Sequence, residues 1–258
     1  MKIDRKLYLV GFEIGYLPSW ICPECKAGNL HPPEDGIKTF EYPSSKKLYF
    51  EEGEPEWIRG CFTGTLVCSN KKCNCTAVIS GDMFVEPVPE SVPGYPGEHE
   101  MVPREHIAIK YFNPPLEIIA IPDYLKDEKI ILCLRKSFTS FWADSSSCAN
   151  KIRITVEAIM DERGIPKNLT NKKGEAVYYP LHAKIKAFEK TNPEVAELLL
   201  AIKWIGNDGS HELEELTRED VLIAYEILQQ SLDKLYNTRP AELQKIAQEI
   251  NKNKEAKK

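Results

Sequence analysis

Two pairs of cysteines constrain this chain more than any other feature. Cys22 and Cys25 enclose Pro23-Glu24, and Cys68 and Cys73 enclose Ser69-Asn70-Lys71-Lys72. Each pair follows a short strand-like run, Trp20-Ile21 in one case and Thr65-Leu66-Val67 in the other. With two or four residues between them, both sulfurs of a pair sit on one tight turn and face one metal ion, and two such turns complete a tetrahedron. Thiolates are soft ligands that select zinc over magnesium or calcium. Four of them leave no open position for water, so the expected Zn2+ site is structural rather than catalytic. The pairs are separated by residues 26–67, more than a compact zinc ribbon inserts, so a hairpin must lie between the turns. Cys75 follows two residues after Cys73 and is an alternative fourth ligand. His31 is near enough to the first turn to be another candidate, and Cys61 reads as packed within a strand.

Six of the eight cysteines fall between Cys22 and Cys75. The first residues, Met1-Lys2-Ile3-Asp4-Arg5-Lys6, carry no apolar signal-peptide core. No stretch approaches the roughly 18 apolar residues of a membrane span. The expectation is a cytoplasmic protein without a membrane partner, where reduced cysteine pairs are metal ligands rather than disulfides. The 34 basic and 39 acidic residues leave a formal charge of -5. That argues against a strongly basic nucleic-acid surface, though not against a local basic groove.

The pattern predicts an α+β chain: a small zinc-stabilised β domain over residues 1–110, then a helical bundle over 111–258. Strand-like runs are Leu7-Tyr8-Leu9-Val10, Lys47-Leu48-Tyr49-Phe50 and residues 61–67. Residues 81–100 hold Pro87, Pro89, Pro93 and Pro96 with Gly94 and Gly97, and read as a loop or extended linker. From Asp123 onward the period becomes helical. Helices are expected over 127–142, over 145–163 behind a serine cap and before Gly164, and over 181–190. Another starts at Asn192-Pro193 and breaks at Gly206. Thr217 caps a helix whose seam is Val221, Tyr225, Leu228, Leu232 and Leu235, the spacing of a bundle. Pro240 opens a charged terminal helix.

Two stretches of the helical half carry a resemblance. One is Ser147-Cys148-Ala149-Asn150-Lys151-Ile152-Arg153-Ile154-Thr155-Val156-Glu157, followed by Gly164-Ile165. The other is Ile202-Lys203-Trp204-Ile205-Gly206-Asn207-Asp208-Gly209-Ser210-His211. Together they resemble domain of unknown function family 4145 (DUF4145), related to the HEPN bundles (higher eukaryotes and prokaryotes nucleotide-binding). The cysteine pairs resemble the zinc-ribbon front end of many members. The resemblance implies a HEPN-like bundle, a homodimer formed through it, and RNA or a defence-system protein as partner. HEPN relatives include metal-independent ribonucleases in restriction, toxin–antitoxin or phage-defence systems. Histidine titrates near neutral pH and can move the 2′-hydroxyl proton, while arginine holds the phosphate with two donors. Carried over, His211 is the general base, Asn207 orients the site, and Lys203 and Arg153 contact phosphate. Lys203 stands where the family places arginine, keeping the charge and losing the bidentate fork.

Each of these residues also has a structural reading. His211 can be a helix-end residue bonded to a loop, and Asn207 a C-terminal cap. Arg153 and Glu157, four apart, can be an internal ion pair. Trp204 can be packed in the bundle, and His182 at the surface. No Gly-rich phosphate loop, Gly-x-Ser-x-Gly elbow or His-Glu-x-x-His is present. With an acidic chain and lysine for arginine, an interaction or nucleic-acid-associated module is favoured over the ribonuclease.

Overall fold

The computed structural model describes residues 2–8, 11–93, 95, 97–170, 173–208 and 216–255. Strong alternation shapes the first half. In β5 (Arg59–Cys68), Gly60, Phe62, Gly64, Leu66 and Cys68 are buried while the residues between them face outward, the period of two that gives a sheet one core face. Around it lie β1 (Phe12–Glu13), β2 (Trp20–Ile21), β3 (Asn29–His31), β4 (Ile37–Glu41), β6 (Thr76–Ser91) and β7 (His99–Asn113). The antiparallel sheet runs β1-β7-β6-β5-β3-β2, with β4 also paired to β5. It curls enough for Thr39 on β4 to reach Glu105 on β7 at 3.3 Å.

The proline-rich stretch is therefore not a linker. Residues 81–91 and 99–100 belong to β6 and β7; Gly94 and Pro96 lie outside the described residues. The prolines fit because of where their missing N–H groups would point. The Val85 N–H donates to Ile58, on the β5 side; Pro87 and Pro89 share that orientation but lie beyond the last β5 pair, Arg59 with Phe84. Pro103, opposite Pro87, faces the other way, past the end of β1. No ladder bond is lost at a free edge.

Lys47-Leu48-Tyr49-Phe50 is helical rather than extended. It sits in α1 (Pro43–Glu52), which has proline in its first turn and ends at Gly53 with φ 78°, the usual start and stop. Buried Ser45 fixes the helix to the sheet: its hydroxyl accepts the Arg59 N–H at 2.8 Å. Near the N-terminus, Arg5–Leu7 form a short 3-10 turn capped by Asp4, so the strand expected over residues 7–10 does not begin there; Leu9 and Val10 lie outside the described residues.

The helices follow their caps. In α2 (Glu128–Phe141) Asp127 accepts from the Ile130 N–H. In α3 (Ser145–Glu162) the cap is Asp144 rather than the serine run, and Gly164 with φ 77° ends it. An exposed hairpin of β8 (Asn168–Thr170) and β9 (Ala176–Tyr178), not anticipated from the sequence, precedes α4 (Leu181–Glu189). The next helix, α5 (Pro193–Asp208), runs through Gly206 instead of breaking there. A Cβ at 206 would lie 3.3 Å from that of Arg153 and 3.4 Å from the Ala149 carbonyl oxygen. Glycine is used here for close approach to α3, and the helix tolerates it. A Thr217–Asp220 capping box opens α6 (Arg218–Tyr236). Of its seam, Val221, Tyr225, Leu228 and Leu232 are buried. The chain closes with α7 (Arg239–Glu255).

Sheet and helices share one core. Trp20, at most 1% exposed, meets Phe12, Phe112 and Trp142 edge-on at 5.6, 5.5 and 6.2 Å. Trp142 stacks on Phe112, and Phe141 reaches Tyr8 and Tyr225 at 5.6 and 6.2 Å. Rings from β1, β2 and β7 thus interlock with the end of α2 and with α6. A polar clamp closes the rim. Glu226 of α6 accepts from Arg5 at 2.6 and 3.1 Å and from the Ile3 N–H at 2.6 Å. Arg218 donates to the Tyr8 and Trp142 carbonyls at 3.3 Å.

The hydrogen bond from Arg5 holds the Glu226 carboxyl below its ordinary pKa. Its contribution is complete above the usual glutamate range and fades as pH falls through the lower folded value. Glu226→Gln is expected to cost about 1–2 kcal/mol in urea unfolding at pH 7. The deficit should shrink well below about pH 4, where both chains carry a neutral side chain.

Candidate metal centre

β2 and β3 hang the first turn from the sheet, and β5 and β6 carry the second. Trp20 pairs with Leu30 and Leu30 with Cys68, so both turns emerge at the same end. In the first turn the Cys22 N–H donates to Gly28 and the Lys26 N–H to Cys22, at 2.8 and 2.9 Å. In the second the Cys73 N–H donates to Asn70 at 2.9 Å. The residue directly after each turn's second cysteine has left-handed backbone, Lys26 at φ 53° and Asn74 at φ 50°.

These turns bring the Sγ atoms of Cys22, Cys25, Cys68 and Cys73 within 4.8 Å of one another. Cys22 and Cys73 are 3.9 Å apart, Cys25 and Cys68 3.6 Å. With metal–sulfur bonds of about 2.3 Å, a tetrahedron has edges of about 3.8 Å. A disulfide needs about 2.05 Å, and all eight cysteines are free thiols. The four sulfurs therefore fit a tetrahedral ion and could hold one. Backbone N–H groups of Gly28 and Asn70 point at the Cys25 and Cys68 sulfurs, both at 3.4 Å. Bonds from the Ala27 and Gly28 backbone lower the Cys25 thiol to about 6, whereas burial pushes Cys68 up to about 12. A divalent cation among them would draw all four toward thiolate.

Cys75 is outside the group; its carbonyl instead accepts the Cys68 N–H at 2.9 Å. His31, exposed on β3 opposite Val67, and half-buried Cys61 on β5 are also outside it. The sequence reading missed Gly28. A Cβ there would stand 2.5 Å from the Cys68 sulfur, so the glycine three residues after Cys25 is the signal that was available. Also missed was Lys26, whose ammonium pairs with Glu117 at 2.8 Å and ties the first turn to the segment after β7.

In the helical half, Arg153 pairs with Glu157 at 3.9 Å, and Glu157 also accepts from Tyr178 at 3.2 Å. Arg153 lies against Gly206, which brings it beside the α5 segment that carries Lys203 and Asn207. The Lys203 ammonium sits 3.3 Å from the ring centroid of half-exposed Trp204, and exposed His182 lies 5.9 Å from the same ring. Asn207 is inside the last turn of α5 rather than beyond its end. His211 lies outside the described residues.

Fold and site together define a chain in which a curled sheet bearing a four-cysteine group is fused to a helical bundle. Residues 135–253 match the family model described as Domain of unknown function (DUF4145). Residues 11–112, which span the sheet, match a second model described as Domain of unknown function (DUF8608). No curated protein and no solved structure matches the chain. Among the described residues, no helix is long and apolar enough to cross a membrane.

Metal analysis of single variants separates the ligands from their neighbours. Cys73→Ser is expected to lose the bound metal and Cys75→Ser to keep it. Gly28→Ala should lose most of it, because the added methyl displaces a ligand sulfur. Since ligands must be deprotonated to bind, acidification should release the metal and a rise in pH should tighten it.

Proposed function

We propose that the four cysteines hold one structural Zn2+, and that the chain is a zinc-stapled, HEPN-like interaction or nucleic-acid-associated module of a prokaryotic defence or restriction system. The observation that carries the metal reading is the closed group of four sulfurs on two turns, at separations suited to a tetrahedron. Four protein ligands leave no coordination site for substrate, so the ion would act on stability rather than on chemistry. The functional context rests on the family resemblance, and the same resemblance supports a homodimer through the bundle. A shared fold does not transmit an activity, which is why the non-enzymatic reading comes first.

A second reading has one observation in its favour. Arg153 packs against Gly206, which puts a guanidinium close to the helix turns of Lys203 and Asn207. In that reading the chain is a metal-independent endoribonuclease. His211 removes the 2′-hydroxyl proton, Arg153 and Lys203 stabilise charge on the phosphate, and Asn207 orients the site.

Two measurements test these readings. Elemental analysis of the purified chain should give one zinc per chain, and Co2+ substitution should give the strong visible bands of tetrahedral thiolate coordination. Absence of any bound metal would sink the zinc reading. Wild type and His211→Ala are then incubated with a broad RNA panel in EDTA. No cleavage is expected from either; cleavage by wild type alone, with cyclic phosphate ends, would establish the ribonuclease.

A further inference from the structure

The last helix has an apolar stripe and nothing to pack it on. Within α7, Leu243, Ile246 and Ile250 are 49%, 45% and 52% exposed, and they follow one another by three and four residues, the spacing of a single helix face. Among the described residues, the helix makes no extensive contact with any other element. It is anchored at its first turn, where Tyr124 and Thr238 donate to Glu242 at 3.4 and 2.9 Å. A helix of this length without tertiary packing is marginal in water, because nothing offsets the entropy of ordering it. Its stripe therefore needs an occupant.

The charges indicate which one. Arg239, Lys245 and Lys252 alternate with Glu242 and Glu249. This mixed pattern lacks the cationic face and the aromatic residues of a membrane-surface helix, and it does not repel its own copy. With Leu243 and Ile250 at a positions and Ile246 at d, Glu249 occupies a g position. The sequence sets a lysine at 254, five residues on. That is the separation at which a parallel, in-register pair places a glutamate of one copy against a lysine of its partner. Ala247, beside the stripe, lets two backbones approach.

We propose that α7 is a self-association helix: two copies of the chain pair their α7 helices in parallel, covering Leu243, Ile246 and Ile250. This dimer is independent of the four-cysteine group and distinct from one formed through the packed helices α2 to α6 of the bundle. The stripe spans only two turns, so the association is weak and concentration-dependent.

The test is sedimentation equilibrium of the full-length chain from about 2 to about 200 µM, the range in which mass action reveals a weak dimer. Wild type is expected to move from monomer toward dimer, with far-UV helicity rising in parallel. Ile246→Asp should weaken the dimer by at least about tenfold, while Gln248→Glu, on the opposite face, should leave it unchanged. Tryptophan fluorescence reports the shared core, to which α7 contributes no ring, and should be the same in all three. A wild type that stays monomeric throughout overturns the proposal. So does a dimer that survives Ile246→Asp, which is the signature of pairing through the bundle, or one that both substitutions abolish equally.

Discussion

The edge-on contact of Trp20 with Trp142 is the interaction on which the rest of the structure depends. The buried residues of the two halves form one continuous core across it. The sheet side supplies Phe12, Trp20 and Phe112, and the helical side supplies Phe141, Trp142 and Tyr225. Large rings bury much area each and prefer tilted or edge-on neighbours, so a cluster of them sets orientation as well as free energy. The indole N–H of Trp20 donates to the Leu7 carbonyl at 2.8 Å, which fixes the N-terminal segment over the cluster. That segment in turn carries Ile3 and Arg5 to Glu226.

The four-cysteine group hangs from the same residue. Trp20 is the first residue of β2, and Cys22 follows two positions later. The ring anchored in the core therefore positions the first thiolate turn, and Lys26, on the far side of that turn, reaches Glu117. A metal bridging the four sulfurs would close a loop of more than forty residues between two short turns, and cross-links across long loops restrict the unfolded chain most. A metal held there would reinforce a sheet end in which β2 and β3, two and three residues long, are too short to hold register by themselves.

Much of this was legible in the residues. Asp127, Gly164, Pro193 and Thr217 mark helix ends through local chemistry, and local chemistry survives folding. Cys22, Cys25, Cys68 and Cys73 could be read as one group because two-residue and four-residue spacings each make a turn. The errors share a cause. The prolines of 81–100 were taken as excluding strand, but Pro87 and Pro89 lie on a free edge where an N–H has no acceptor to lose. Gly206 was taken as a helix breaker, but its missing Cβ admits Arg153. Residues 47–50 were taken as extended on their apolar run, but the helix signal lay outside it, in Pro43 and Gly53. For the prolines and Gly206 the deciding fact was a neighbour distant in sequence; for residues 47–50 it lay a few positions outside the apolar run.

By itself, then, the sequence determined the helix boundaries set by caps, the seam of α6 and the identity of the thiolate turns. All of these depend on residues within a few positions of each other. Tertiary structure alone decided that Cys73 rather than Cys75 joins the group, that Gly28 must lack a side chain beside the Cys68 sulfur, and that two halves of different secondary structure share one aromatic core. Those outcomes depend on which chain segments meet in space. Cys73 and Cys75 lie on the turn before β6, on either side of left-handed Asn74, so no strand or helix period says which sulfur joins the group, and only the folded backbone does.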